Sequence, residues 1–344
     1  MKLSEINTQK LISTAKAMVA NNKGLLAMDE SDSTCNKRFA KLDIPETAEL
    51  RRDYREMIVT TKGLNESISG AILFDETVHQ QLKDGNSFIK VLTDNQIIPG
   101  IKVDSGKVLL AGRPDEMITE GLDNLRERLK EYGKMGLRFA KWRAVITIGK
   151  GIPTQACLDA NAHTLARYAA LCQEVGLVPI VEPEVLMDGD HSMERCFEVT
   201  EQVLHTVFDQ LYTQGVLLEG MILKPNMVVA GLACEKQKSV DEVADATVKC
   251  LLRTVPAAVP GIAFLSGGQS SELASARLNA INTRFKNKLP WELSFSFGRA
   301  LQQPALGIWH GKEKNVSEAQ KALCHRAMCN RAARAGEYNH KMDK

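Results

Sequence analysis

The chain has 344 residues, 44% of them hydrophobic, 25% charged and 5% aromatic, with a formal net charge of +2. That much apolar material supplies a large core and excludes extended disorder. A charge so small and unclustered argues against nucleic acid as a partner.

The amino-terminal segment MKLSEINTQKLISTAKAMVANNKG has no apolar signal region; Ile6, Leu11, Ile12, Ala15, Met18 and Val19 instead share one helical face. It predicts a helix over about 5–20 rather than a secretory leader. A recurring unit follows, a short apolar run that ends in polar residues and leads into a helical stretch. The runs are GLLAMD (24–29), SGAILFD (69–75), PGIKVD (99–104), FAKWRAVITI (139–148), VPIVEPEV (178–185), GMILKPNM (220–227), GIAFLSGG (261–268) and WELSFSFG (291–298). Each start is far enough from the next for a strand, a crossover helix and loops. Between them, 154–177 and 192–215 carry apolar residues at helical spacing and stop at Gly176 and Gly215. SVDEVADATVKCLLRTVP (239–256) opens on Ser239 with Glu242 three residues on, a capping-box pattern.

Eight strand–helix repeats predict a parallel sheet closed into a (β/α)8 TIM barrel, an α/β fold. An open doubly wound sheet is the competitor, but no GxGxxG follows the first run. No linker interrupts the chain. A single domain over 1–344 is expected, with a short tail over about 336–344. No stretch reaches the ~20 apolar residues of a membrane span, so no membrane partner is expected. The eight cysteines (35, 157, 172, 196, 234, 250, 324 and 329) include no CxxC pair. They fit reduced, buried thiols and a cytoplasmic protein, with the plastid stroma as the alternative for a processed chain.

Ionisable residues gather at the carboxyl ends of these runs: Asp29, Lys102, Asp104, Lys141, Arg143, Glu182, Glu184, Lys224 and Arg299. Residues i and i+2 of a strand share a face, so Lys141 projects with Arg143 and Glu182 with Glu184. Facing the helices they would be buried at high cost; facing inward they meet at the barrel mouth, where this fold carries its active sites. Cations at Lys102, Lys141 and Arg143 are expected to favour the neutral amine of Lys224, a nucleophile toward carbonyls that forms a Schiff base. The small residues of LSGGQS with Arg299 suit a phosphate, and Lys102, Arg38, Ser31 and Thr34 suit a second one across the mouth. The seven histidines show no HxH or HExxH spacing, so neither metal nor other cofactor is expected.

The set GLLAMDES, GIKVD, AKWR, VEPE, LKPNM, FLSGGQS and FSFGRAL resembles class I fructose-1,6-bisphosphate aldolase, the Schiff-base type, from the first helix to about residue 335. DESDSTCNKR leans toward the plastid and cyanobacterial branch. The resemblance implies that Lys224 forms the imine with the substrate ketone and Glu184 serves as acid and base for carbinolamine dehydration. It implies that Glu182 supports both, that Asp29 accepts the C4 hydroxyl proton, and that Lys141 holds Glu184 ionised beside Arg143. Ser266, Gly267, Gly268, Gly298 and Arg299 would bind one phosphate. Ser31, Arg38, Lys102 and Ser296 would contact the remaining substrate, with Thr34 standing where many relatives have Ser. The partner is then a sugar bisphosphate, and the assembly a homo-oligomer, by resemblance a homotetramer. Relatives end in a longer tail with a terminal tyrosine that helps protonate the enamine. Here the last tyrosine is Tyr338, so slower enamine protonation is expected. Two rivals differ in chemistry: a transaldolase-like or deoxysugar aldolase, and a non-enzymatic scaffold for polyanions or filaments.

Overall fold

In a computed structural model, which describes residues 5–343, each of the eight apolar runs supplies one barrel strand. Among the described residues ten strands form: β1 (Gly24–Ala27), β2 (Ile68–Leu73), β3 (Ile98–Lys102), β4 (Gly106–Leu109), β5 (Met117–Glu120), β6 (Phe139–Ile146), β7 (Val178–Val185), β8 (Ile222–Leu223), β9 (Gly261–Phe264) and β10 (Glu292–Phe297). Eight close into a parallel barrel in the order β1-β10-β9-β8-β7-β6-β3-β2. β4 and β5 stand apart as an antiparallel hairpin, Gly106 opposite Glu120 and Leu109 opposite Met117. This hairpin was not expected from the sequence. Its first strand is largely exposed, so it carries no apolar run to announce it. Thr119 Oγ1 ties the hairpin to the barrel by donating to the Arg143 carbonyl at 2.8 Å.

Inside the barrel the two-residue period sorts the side chains into layers. Leu25, Ala27, Ile72, Phe139, Val178, Ile180, Ile222 and Ala263 form one apolar cluster with Leu11, Ala15, Met18 and Val19. The amino-terminal helix, observed over Glu5–Met18, thus lends its apolar face to the same cluster as the strand interior. Ile12 is half-buried, while the side chain of Ile6 lies outside the described residues, as do residues 1–4 and 344. Above this plug, β6 continues its inward face from Phe139 to Lys141 and Arg143. Along β7 the corresponding series is Val178, Ile180, Glu182 and Glu184, with Phe139 paired to Val178 and Arg143 to Glu182. The charged layers therefore lie at the carboxyl end. The alternate residues, among them Trp142, Ala144, Val181 and Val185, join the larger core that also holds the helical side chains.

The outer helices keep to the expected segments: Gln155–Glu174, Met193–Thr213 and Val240–Thr254. Ser239 and Glu242 make the reciprocal capping box, the serine N–H donating to Glu242 Oε2 at 2.9 Å and the glutamate N–H to Ser239 Oγ at 3.2 Å. A last helix, Val316–Ala335, ends at Gly336 in the left-handed conformation. The tail then turns back along the helix Ser271–Phe285, where the Tyr338 N–H donates to Asn279 Oδ1 at 3.0 Å. All eight cysteines are free thiols, six of them buried. Among the described residues no helix is long and apolar enough to cross a membrane.

Candidate active site

A cavity of ≈ 220 Å³ opens at the carboxyl ends of the barrel strands. Asp29 follows β1, Lys102 ends β3, Lys141 and Arg143 come from β6, Glu182 and Glu184 from β7, and Lys224 follows β8; all seven line it. So do Ser31, Thr34, Arg38, Ser266, Gly267, Ser296, Gly298 and Arg299. Of the residues that the resemblance assigned to catalysis or substrate binding, Gly268 alone is not part of this lining. It stands just behind, where an added Cβ would lie 3.4 Å from Arg299 Nη2.

The centre of the cavity is a line of alternating charges. Lys224 Nζ is 3.1 Å from Glu182 Oε1, Glu182 Oε2 is 3.4 Å from Lys141 Nζ, and Lys141 Nζ is 2.7 Å from Asp29 Oδ2. All four side chains are nearly inaccessible, and Lys224 is 4% exposed. Burial alone would push the Asp29 carboxyl up, but the ammonium charges of Lys141 and Lys224, with the hydrogen bond from Lys141, bring it down to about 2. Lys141 moves the opposite way. Burial opposes its charge, yet Asp29, Glu182 and Asp104 raise its pKa well above the usual lysine value.

Two expectations about this centre need correction. Lys141 does not hold Glu184; it is committed to Asp29 and Glu182. Glu184 accepts instead from Arg143 Nε at 2.5 Å, and this carboxylate outweighs burial and raises the Arg143 pKa. Nor is Lys224 crowded by bare cations. Lys102 is paired with Asp104 at 2.7 Å, and Lys141 and Arg143 have the carboxylates just named. The charged group in contact with the Lys224 amine is an acid, Glu182, which can exchange a proton with it directly.

Two rims flank the centre. On one, the loop after β9 holds Gly267 at φ +58° and Gly268 at φ +100°, left-handed conformations that favour glycine. Beside it Gly298 precedes the helix Arg299–Trp309, whose amino-terminal end favours an anion. Among the described residues, neither Ser296 Oγ nor Glu182 Oε2, both buried, has a hydrogen-bond partner. On the other rim, Ser31 caps the helix Asp32–Ala40, and its hydroxyl lies 3.0 Å from that of Thr34. Arg38 Nη1 donates to Glu30 Oε1 at 2.5 Å, and Lys102 donates to both the carboxylate and the carbonyl of Asp104. This side adjoins a larger cavity of ≈ 710 Å³ under the hairpin, which Lys37, Lys107 and Arg128 also line.

Glu30 was missed in the sequence, although it stands next to Asp29 in MDES. Asp104 was noted there as a strand-end acid but not as a site residue. Neither position has a spacing signal that reveals its partner. Tyr338 does not reach the cavity: its hydroxyl donates to Asp343 Oδ2 in the tail, and it packs beside the His340 ring.

Fold and site together define a (β/α)8 barrel with a lysine-centred cavity at the carboxyl ends of its strands. Residues 10–344 match the family described as fructose-bisphosphate aldolase class-I. The chain is 56% identical over 334 residues to the "Probable fructose-bisphosphate aldolase class 1" of Xanthomonas campestris pv. campestris, covering 97% of this chain and 99% of that one. It is 51% identical to the "Fructose-bisphosphate aldolase" of Dictyostelium discoideum, over 96% of this chain and 92% of that one. The structure superimposes on the fructose-bisphosphate aldolase of Plasmodium falciparum, solved with TRAP and a small-molecule inhibitor. The TM-score is 0.97 at 49% identity, covering 98% of each chain. The chain belongs to the class-I fructose-bisphosphate aldolase family. Its reaction is the reversible cleavage of fructose 1,6-bisphosphate to dihydroxyacetone phosphate and glyceraldehyde 3-phosphate.

Proposed function

We propose that Lys224 is the imine-forming nucleophile of this reaction, and that Glu182 exchanges its protons. The observation that carries this is the 3.1 Å contact between Lys224 Nζ and Glu182 Oε1 in a buried site. A proton passed to Glu182 frees the amine to add to the C2 ketone, and the same proton returned to the carbinolamine oxygen lets water leave. The resemblance implied Glu184 for this role, but Glu184 is engaged by Arg143 while Glu182 touches the amine. Asp29, ionised at neutral pH, accepts the C4 hydroxyl proton as the C3–C4 bond breaks. The bonding electrons move toward the imine nitrogen to give an enamine, which is protonated and hydrolysed off Lys224. Lys141, held charged between Asp29 and Glu182, stabilises negative charge as it develops.

Ser266, Gly267, Gly298 and Arg299 bind one phosphate in this proposal, with Gly268 shaping the loop. Ser31, Thr34, Arg38 and Lys102 bind the other, and Arg143 and Ser296 contact the substrate between them. A homotetramer in the cytoplasm is part of the same proposal, and its mass in solution tests the assembly. Lys224→Met is expected to keep the thermal transition and lose turnover by on the order of 10⁴-fold or more. A chelator should leave the wild type unchanged. Near-normal cleavage by the variant would overturn the assignment.

A further inference from the structure

Arg277 departs from the rule that buried charges are paired. It lies on the helix Ser271–Phe285 and is 5% exposed. Among the described residues no ion pair reaches it. Its Nε is buried without a partner, and its Nη1 donates at 2.9 Å to a neutral acceptor, Gln269 Oε1. Burial pushes the guanidinium below the ordinary arginine pKa. Each of the other four buried arginines has an acid in contact: Arg51 and Arg55 share Glu76, Arg326 has Asp343 and Arg334 has Glu292. Removing the partner of a buried charge is strongly destabilising, so a buried arginine without an acid calls for something that offsets it.

What Arg277 touches suggests the offset. Gln269 belongs to the LSGGQS loop after β9. Its amide Nε2 donates to the Ser266 carbonyl at 3.0 Å, and its main-chain N–H donates to the same oxygen at 3.0 Å. Two donors on one carbonyl close the loop across Gly267 and Gly268, the two left-handed residues. The order of contacts is Arg277 to Gln269 to Ser266, ending at the rim where Ser266 and Gly267 line the cavity.

We infer that Arg277 is a positioning residue for phosphate binding: through Gln269 it fixes the Ser266–Gly268 loop, and its unpaired charge lies behind the anion the loop receives. This rests on the assignment of a phosphate to that loop. The bound phosphate then supplies the negative charge that the protein withholds from Arg277. No contact between Arg277 and substrate is involved.

Three variants of the full chain test this, with KM for fructose 1,6-bisphosphate, inhibition by inorganic phosphate, kcat and thermal midpoint as readouts. Arg277→Met removes the charge and keeps the length. It should raise both KM and the phosphate inhibition constant about five-fold, the size of one lost hydrogen bond, with kcat within about two-fold. The thermal midpoint should hold or rise, because an uncompensated buried charge is gone. Arg277→Lys should recover part of the loss. Gln269→Met should raise the same two constants, and the double variant should add little to either single one, since both act on one loop. Should Arg277→Met not fold, Gln269→Met and Arg277→Lys carry the same comparison. A lowered midpoint with unchanged KM and phosphate inhibition would make Arg277 merely structural and overturn the inference. Arg299→Leu separates the two levels. If it weakens phosphate inhibition and the Arg277 and Gln269 variants do not, only this inference fails. If none of them does, the phosphate assignment fails with it.

Discussion

Asp29 and Lys141 face each other at 2.7 Å in a buried site, and each holds the other's charge. The sign of the effect on stability follows from the direction of each shift. The Asp29 carboxyl, ordinarily near 3.8, is brought to about 2, so its contribution is present above pH ~4 and lost as pH falls through about 2. Lys141 is raised, so its contribution is present below the ordinary lysine value and lost only at more alkaline pH. Asp29→Asn should therefore be less stable than wild type at pH 6, by on the order of 2 kcal/mol, and the gap should narrow on going to pH 3. Urea denaturation at the two pH values measures this. A gap that widens on acidification would contradict the pairing. That Asp29, Lys141 and Glu182 gather inside was legible in the sequence, because strand-end charges at i and i+2 have nowhere cheaper to go. Which acid each cation takes was not. Partner choice depends on the register between β6 and β7, where Arg143 sits opposite Glu182 and Val145 opposite Glu184, and on how far each side chain reaches across the barrel. Arg277 and Gln269 were illegible for the same reason, since only the fold brings a helix residue behind the loop that precedes it.

At the scale of elements, the apolar runs sufficed to locate every barrel strand, because strands buried on both faces read as continuous hydrophobic stretches. Exposed β4 lacked such a run, and β8 shrinks to two residues because Pro225 offers no N–H to extend the ladder. Packing inside the barrel imposes its own requirement on β3. A Cβ placed on Gly100 would lie 2.2 Å from the Phe139 ring, which fills that layer of the plug. Gly100→Ala should cost about 1–3 kcal/mol in a denaturation experiment, with KM near normal because the clash sits below the charged layer. A KM effect without a stability loss would mean that plug and mouth are not separable layers.

For the molecule as a whole, the barrel divides its interior between two solvents. The plug shared with the amino-terminal helix is dry and apolar, and the opposite end concentrates lysines, arginines and acids in a cavity of ≈ 220 Å³. A sequence with a net charge of +2 thus hides strong local fields that nearly cancel in the sum. Rigid strands fix those charges, which suits chemistry in which a lysine must meet both a ketone carbon and a carboxylate. The central claim is that the Lys224 amine bonds covalently to the substrate ketone. Borohydride reduction in the presence of dihydroxyacetone phosphate, followed by peptide mapping by mass spectrometry, tests it directly. One stable adduct on the peptide carrying LKPNM, at Lys224, with parallel loss of activity, is the predicted result. An adduct confined to Lys141 or Lys102, or inactivation without any adduct, would contradict it.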